Sequence, residues 1–132
     1  MDQIKQKLLE YHIRPTSQRL DIARVLLAER QHLCADEVLK RVNRQANLVS
    51  KATVYNTLNL FAEKGLIREV IIDSGRVFYD SNTLAHHHVY NEDTGQLLDI
   101  DASEVQLGDM PRLPSGTVGV GVDVIIRVRN KR

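Results

Sequence analysis

A chain of 132 residues has room for one modest domain or two small ones, and 42% hydrophobic with 27% charged residues describes a folded polymer rather than a disordered one. No run of about 18 apolar residues occurs and the first residues lack a signal-peptide core, so a spanning helix is excluded and the expectation is a cytoplasmic protein with no membrane partner. The single cysteine, Cys34, excludes an intrachain disulfide and a cysteine-rich zinc knuckle.

The net charge of +1 hides an asymmetry, because residues 1–72 carry +4 and residues 73–132 carry −3. A basic first part suits phosphate, and an acidic second part suits a cation.

In chain order, residues 2–12 read as a short helix with Ile4, Leu8 and Tyr11 inward, stopped by Arg14-Pro15. Thr16 caps a second helix from about Ser17 to Glu29, whose stripe is Leu20, Ala23, Leu26 and Leu27. A third helix starts near Cys34 or Ala35 and buries Val38, Leu39 and Val42; Cys34 and Glu37 have capping-box spacing, although a thiol is a poor hydroxyl. The fourth runs from Ser50 to Gly65, with Val54, Leu58, Phe61 and Ala62 on one side and Ala52, Asn56, Asn59 and Glu63 on the other. Taken alone it reads first as an amphipathic core helix with a solvated back. Its polar, nearly uncharged face also suits a major groove, where amides and hydroxyls read base edges and Lys51 touches phosphate.

Leu66 to Ile72 and Arg76 to Asp80 form a predicted hairpin around Asp73-Ser74-Gly75. Helices followed by such a hairpin describe a winged helix, which makes the fourth helix the reader and Arg68 and Arg76 candidate backbone contacts. The alternative is that both arginines only solubilise an edge hairpin. Beyond Asn82, strands are predicted at His86 to Tyr90 and Gln96 to Asp101 around a turn at Asn91 to Gly95, with a helical turn or two between Ala102 and Met110. From Val118 to Val128 apolar residues alternate strictly, predicting a long strand whose sheet is under-covered in a monomer and so calls for a symmetric dimer. The expected fold class is α+β, with a winged helix-turn-helix domain over 1–81 and an α/β dimerisation and sensing domain over 82–132.

His86 and His88 share one strand face and His87 points away, while Asp80, Asp99 and Asp101 supply carboxylates and His32 a third imidazole. Such a mixed nitrogen and oxygen set suits Mn(II), Fe(II) or Zn(II), against the plainer reading of a histidine-rich surface strand. Two histidines and one carboxylate also fit a non-haem iron oxygenase, although the few short strands leave little room to enclose a substrate.

The segments RPTSQR (Arg14 to Arg19), HLCADEV (His32 to Val38), ATVYNTL (Ala52 to Leu58), EKGLI (Glu63 to Ile67) and HHHVYNEDTGQLLDID (His86 to Asp101) together resemble the ferric uptake regulator (Fur) superfamily across nearly the whole chain. The resemblance implies a homodimeric repressor that binds double-stranded operator DNA and has no catalytic turnover. Its implied regulatory metal ligands are His32, Asp80, His86, His88 and Asp99, in the aspartate-rich form of peroxide-sensing members, a second reading of the function. Implied DNA contacts are Arg14, Thr16, Arg19, Lys51, Thr53, Tyr55, Asn56, Asn59 and Arg76; Asn56 stands where relatives usually carry arginine. The family's structural zinc uses cysteine pairs, and Asn91 and Thr94 occupy the first pair here, so no four-cysteine zinc site is expected. TVYNTLN, YDSNT, the three-histidine run and the ending GVDVIIRVR look most like the iron response regulator branch. That branch implies control of iron and haem genes, haem binding at His86, His87 and His88, and a haem-biosynthesis enzyme as partner. Cys34 is an alternative thiolate ligand for haem, or an inert packing residue.

Overall fold

The computed structural model describes residues 2–44, 49–84 and 86–132. Contacts divide the chain into two compact units, Met1–Thr83 and Leu84–Arg132. No helix among the described residues is long and apolar enough to cross a membrane.

The first unit holds four helices, α1 (Gln3–Glu10), α2 (Ser17–Leu27), α3 (Ala35–Val42) and α4 (Lys51–Glu63), and strands β1 (His32–Leu33), β2 (Arg68–Asp73) and β3 (Arg76–Asp80). The caps expected from sequence form: Thr16 Oγ1 accepts from Arg19 N–H at 3.4 Å and Ser50 Oγ from Thr53 N–H at 3.1 Å. At α3 the Glu37 carboxylate accepts from the Cys34 N–H at 3.2 Å. Gly65, at φ +82°, ends α4, with its own N–H on Ala62 O and that of Leu66 on Phe61 O. The same pair of bonds ends α1 around His12, a non-glycine residue at φ 61°, so this helix stops two residues earlier than Arg14-Pro15 alone would require.

Leu8, Ile22, Leu26, Val38, Val54, Leu58 and Phe61 are wholly buried in one core from all four helices. The strands form an antiparallel sheet in the order β1-β3-β2, with the wing turn tied by Asp73 Oδ1 accepting from Gly75 N–H at 2.9 Å. Strand β1 was not expected. At two residues it is too short for an alternation to register, and it exists because His32 and Leu33 pair with Asp80 and Tyr79.

The second unit is a three-stranded sheet in the order β5-β4-β6, from β4 (His86–Asn91), β5 (Leu97–Asp101) and β6 (Ile125–Val128), with a 3-10 turn at Ala102–Glu104. Strand β4 is central, antiparallel to β5 and parallel to β6. The turn after β4 is satisfied from within: Asn91 Oδ1 accepts from Asp93 and Thr94 N–H at 2.8 and 3.1 Å. It also holds the chain beyond β6, since Asn91 Nδ2 donates to Asn130 Oδ1 at 2.8 Å and Asn130 N–H to Asp93 Oδ2 at 2.9 Å.

The strand expected over Val118 to Val128 is corrected to its last four residues. Val118 and Val120 are 85% and 102% exposed. Alternation of β-branched residues makes a segment able to join a sheet, but a strand also needs a neighbour for its N–H and C=O groups, and the β4 ladder begins only where His88 N–H donates to Val124 O and His88 pairs with Ile125.

Candidate metal centre and nucleic-acid interface

Strand pairing sets the centre in the second unit. His88 lies opposite Asp99 in the β4–β5 register, and period-two alternation puts His86 on the same face. Asp99 Oδ1 is 3.4 Å from Nε2 of both His86 and His88, and the imidazole rings are 4.6 Å apart. The ligand atoms of these three side chains lie within 4.8 Å of one another. Two donors each about 2.1 Å from one ion, at angles between a right angle and the tetrahedral one, stand about 3.0–3.5 Å apart, so the spacing fits a shared cation. His86 Nδ1 donates to the Leu84 carbonyl at 2.6 Å, which turns Nε2 toward the Asp99 carboxylate. A backbone carbonyl on the far ring nitrogen is a common way to orient a metal-binding histidine.

His87 goes elsewhere, as alternation predicts: it is buried, and its Nδ1 accepts from Val124 N–H at 3.2 Å. The Asp101 carboxylate accepts from Ser103 N–H and Oγ–H, both at 2.9 Å; these bonds favour the ionised form, hold the carboxyl below its usual range and turn it to the 3-10 turn.

In the first unit His32 and Asp80 are partners across β1 and β3. The His32 ring packs edge-on to Phe78 at 6.2 Å, and Asp80 is 1% exposed with Oδ1 accepting from Asn82 N–H at 2.8 Å. A carboxylate this deeply buried needs compensating partners or a cation.

Of the expected DNA contacts, Lys51, Tyr55, Asn56 and Asn59 are exposed along α4, with Lys51 Nζ 5.9 Å above the Tyr55 ring. Thr16, Arg19, Thr53 and Asn56 converge on one cleft of about 250 Å³ between the start of α2 and α4, together with Gln18, Thr57 and Leu60, which sequence reasoning did not single out. Arg19 Nη1 donates to the carbonyl of exposed Arg14 at 3.0 Å. Arg76 is an ion-pair partner of Asp73 at the wing turn, its Nε 2.8 Å from Asp73 Oδ2. At Cys34, burial is the main cause pushing the thiol above its ordinary range, which disfavours the thiolate.

The groups that aim these side chains escaped sequence reasoning. The Leu84 carbonyl that fixes the His86 tautomer is a backbone atom, and Gln31 and Ser81, which hold the β1 and β3 ends, lie 50 residues apart. No spacing rule flags either.

Residues 10–110 match the family model described as the ferric uptake regulator family. The chain is 33% identical over 101 residues to a peroxide-responsive repressor, PerR, of Staphylococcus aureus, covering 76% of this chain and 67% of that protein. Its fold is similar to the ferric uptake regulator of Pseudomonas aeruginosa with manganese, at TM-score 0.75 and 25% identity over 99% of this chain and 100% of the other. It also resembles that of the Francisella tularensis regulator with iron, at TM-score 0.71 and 20% identity over 90% and 92%. The oxygenase alternative falls with this match. The chain belongs to the ferric uptake regulator family, and is a metal-responsive transcription regulator rather than an enzyme.

Proposed function

We propose that the protein is a homodimeric repressor of iron and haem genes, working in the cytoplasm, whose affinity for operator DNA is set by a divalent cation held by His32, Asp80, His86, His88 and Asp99. The observation that carries this reading is Asp99 Oδ1 standing 3.4 Å from both imidazole Nε2 atoms while His86 Nδ1 is committed to a carbonyl. When bound, the ion supplies a positive charge that several ligands can share. A cation shared by His32 and Asp80 of one unit and His86, His88 and Asp99 of the other would fix the angle between domains 1–81 and 82–132. In a dimer that angle sets whether two α4 helices meet successive major grooves, about 34 Å apart.

Charge at the helix ends supports the DNA half. Neither α2 nor α4 has an acidic residue in its first turn, whereas α3 begins with Asp36 and Glu37. The two helix starts bearing candidate contacts therefore keep their positive ends available to phosphate. Exposed Val118, Val120, Val122, Ile126 and Val128 support a second copy as the partner of this segment, because together they are more apolar surface than a monomer usually leaves to water.

A cation suits the histidines better than direct haem ligation. A porphyrin needs an imidazole facing open space, and His86, His87 and His88 are at most 6% exposed. A haem-loaded biosynthetic enzyme would have to act on the surface instead. The identity to a peroxide-responsive repressor favours peroxide sensing as the second reading. A gain of about one oxygen atom on His32 or His86, after peroxide treatment of protein loaded with Fe(II), distinguishes it from sensing by metal exchange.

Duplex binding measured in Mn(II) and again in a chelator tests the main reading; equal affinity in both would sink it. On the DNA side, Lys51→Ala is expected to weaken binding by a similar factor on all sequences and to lower the salt slope by about one. Asn56→Ala is expected to relax base preference by about 1–3 kcal/mol at one position, and retained preference with a changed salt slope would reverse the assignment.

A further inference from the structure

Beside the candidate ligands of the first unit lies a set of side-chain hydrogen bonds that neither the fold nor the metal chemistry has absorbed. Gln31 immediately precedes His32, and Ser81 immediately follows Asp80. The two are locked together: Gln31 N–H donates to Ser81 Oγ at 3.1 Å and Ser81 N–H to Gln31 O at 3.1 Å. Ser81 Oγ lies 3.1 Å from the Glu29 carbonyl, to which it donates. The Gln31 side chain then leaves the strand. Its Nε2 donates to the carbonyls of Val25 and Leu26 at 2.7 and 3.2 Å, and its Oε1 accepts from Arg41 Nη1 on α3 at 3.1 Å.

Those two carbonyls are among the last four of α2, which have no partner within their own helix. Both amide protons of Gln31 are thus used to cap α2, and its oxygen is used on α3. No shift of the His32 peptide can leave Gln31 behind, because the residues are bonded neighbours. The other end of α2 carries Thr16 and Arg19 into the cleft shared with Thr53 and Asn56 of α4. An α-helix of this length is a stiff rod of roughly 16 Å, at about 1.5 Å per residue.

We propose that Gln31, with Ser81 and Arg41, is the positioning element that makes metal binding felt at the DNA face, by tying the backbone of His32 and Asp80 to α2 and α3. This inference rests on the reading of His32 and Asp80 as metal ligands. Gln31 is neither one of the candidate ligands nor part of the lining of the cleft between α2 and α4. Its effect is on the coupling between the two sites, and coupling is reciprocal: the factor by which metal tightens DNA equals the factor by which DNA tightens metal.

The test uses the full chain, Mn(II), and a duplex selected from a random-sequence pool by the Mn(II)-loaded wild-type protein. Mn(II) affinity is read from the electron paramagnetic resonance of the free ion, DNA affinity by fluorescence anisotropy with and without Mn(II), and folding by thermal unfolding. The wild type is expected to show a coupling factor of roughly 5–150. In Gln31→Ala and in Ser81→Ala that factor is expected to fall at least about fivefold, while metal-free DNA affinity changes by less than about twofold. A purely structural role would lower the unfolding temperature and leave the factor intact, and that result overturns the proposal. If Gln31→Ala does not fold, Ser81→Ala, which keeps the backbone bond to Gln31 O, decides alone. A wild type that binds Mn(II) with no change in DNA affinity refutes the underlying metal reading instead, so the two failures are distinguishable.

Discussion

His88→Ala is expected to lower affinity for Mn(II) or Fe(II) by about 100-fold or more, and with it to remove the metal dependence of DNA binding, while the chain stays folded. Loss of an outer partner of a ligand already costs about 10–100-fold, and His88 is proposed as a ligand itself. It is 1% exposed, its Nε2 is 3.4 Å from Asp99 Oδ1, and its ring lies 4.6 Å from that of His86. Removing it takes one of two imidazoles from the Asp99 carboxylate. Metal titration followed by anisotropy on the same samples measures both losses. Asp99→Asn keeps the shape but not the charge, and is expected to behave alike. His87→Ala separates this account from one in which any histidine of the run suffices, because His87 faces the other way and holds Val124 N–H. It should keep metal affinity within about threefold, below even the loss expected of an outer partner. Equal losses for His87 and His88 would show that the run acts through the integrity of β4 and not through ligation.

Phe61→Ala is expected to cost the first unit about 3–5 kcal/mol, up to half or more of the roughly 5–15 kcal/mol by which domains of this kind are stable. Phe61 is wholly buried in the common core, and its carbonyl accepts from Leu66 N–H where α4 ends at Gly65. The truncation therefore opens a cavity under α4, next to the turn that starts the wing. Urea unfolding should show a lower midpoint for this unit, and DNA binding should weaken with or without metal. Leu9, 48% exposed on α1, is the comparison: Leu9→Ala should stay within about 0.5 kcal/mol. Similar costs for the two would mean that the core is not organised around α4.

The parts legible in sequence are those fixed by local rules. Ser50, Thr16 and Gly65 announced helix ends because capping is decided within three or four residues. The alternation in His86-His87-His88 announced which imidazoles share a face, because strand geometry leaves no third choice. What stayed hidden depends on distant partners or on conformations a residue type seldom adopts. His12 ends α1 in a left-handed conformation that glycine would have signalled. Strand β1 exists only through β3, and Val118 to Val122 have the pattern of a strand but pair with no strand among the described residues. At the candidate centre the ligand types could be read from composition and spacing. The tautomer of His86 and the tether at Gln31 could not, because a carbonyl and a distant serine decide them.

The turn at Asn91 to Gly95 has a consequence for how the protein can be stripped and reloaded. In the turn whose Asn91 and Thr94 the family resemblance sets at the positions of a thiol pair, Asn91 and Asp93 fasten Asn130 with amide and carboxylate bonds. Bonds of that kind answer neither to EDTA nor to oxidants. A chelated sample is therefore expected to lose an ion held at the proposed centre with these bonds at the far edge of the sheet still made.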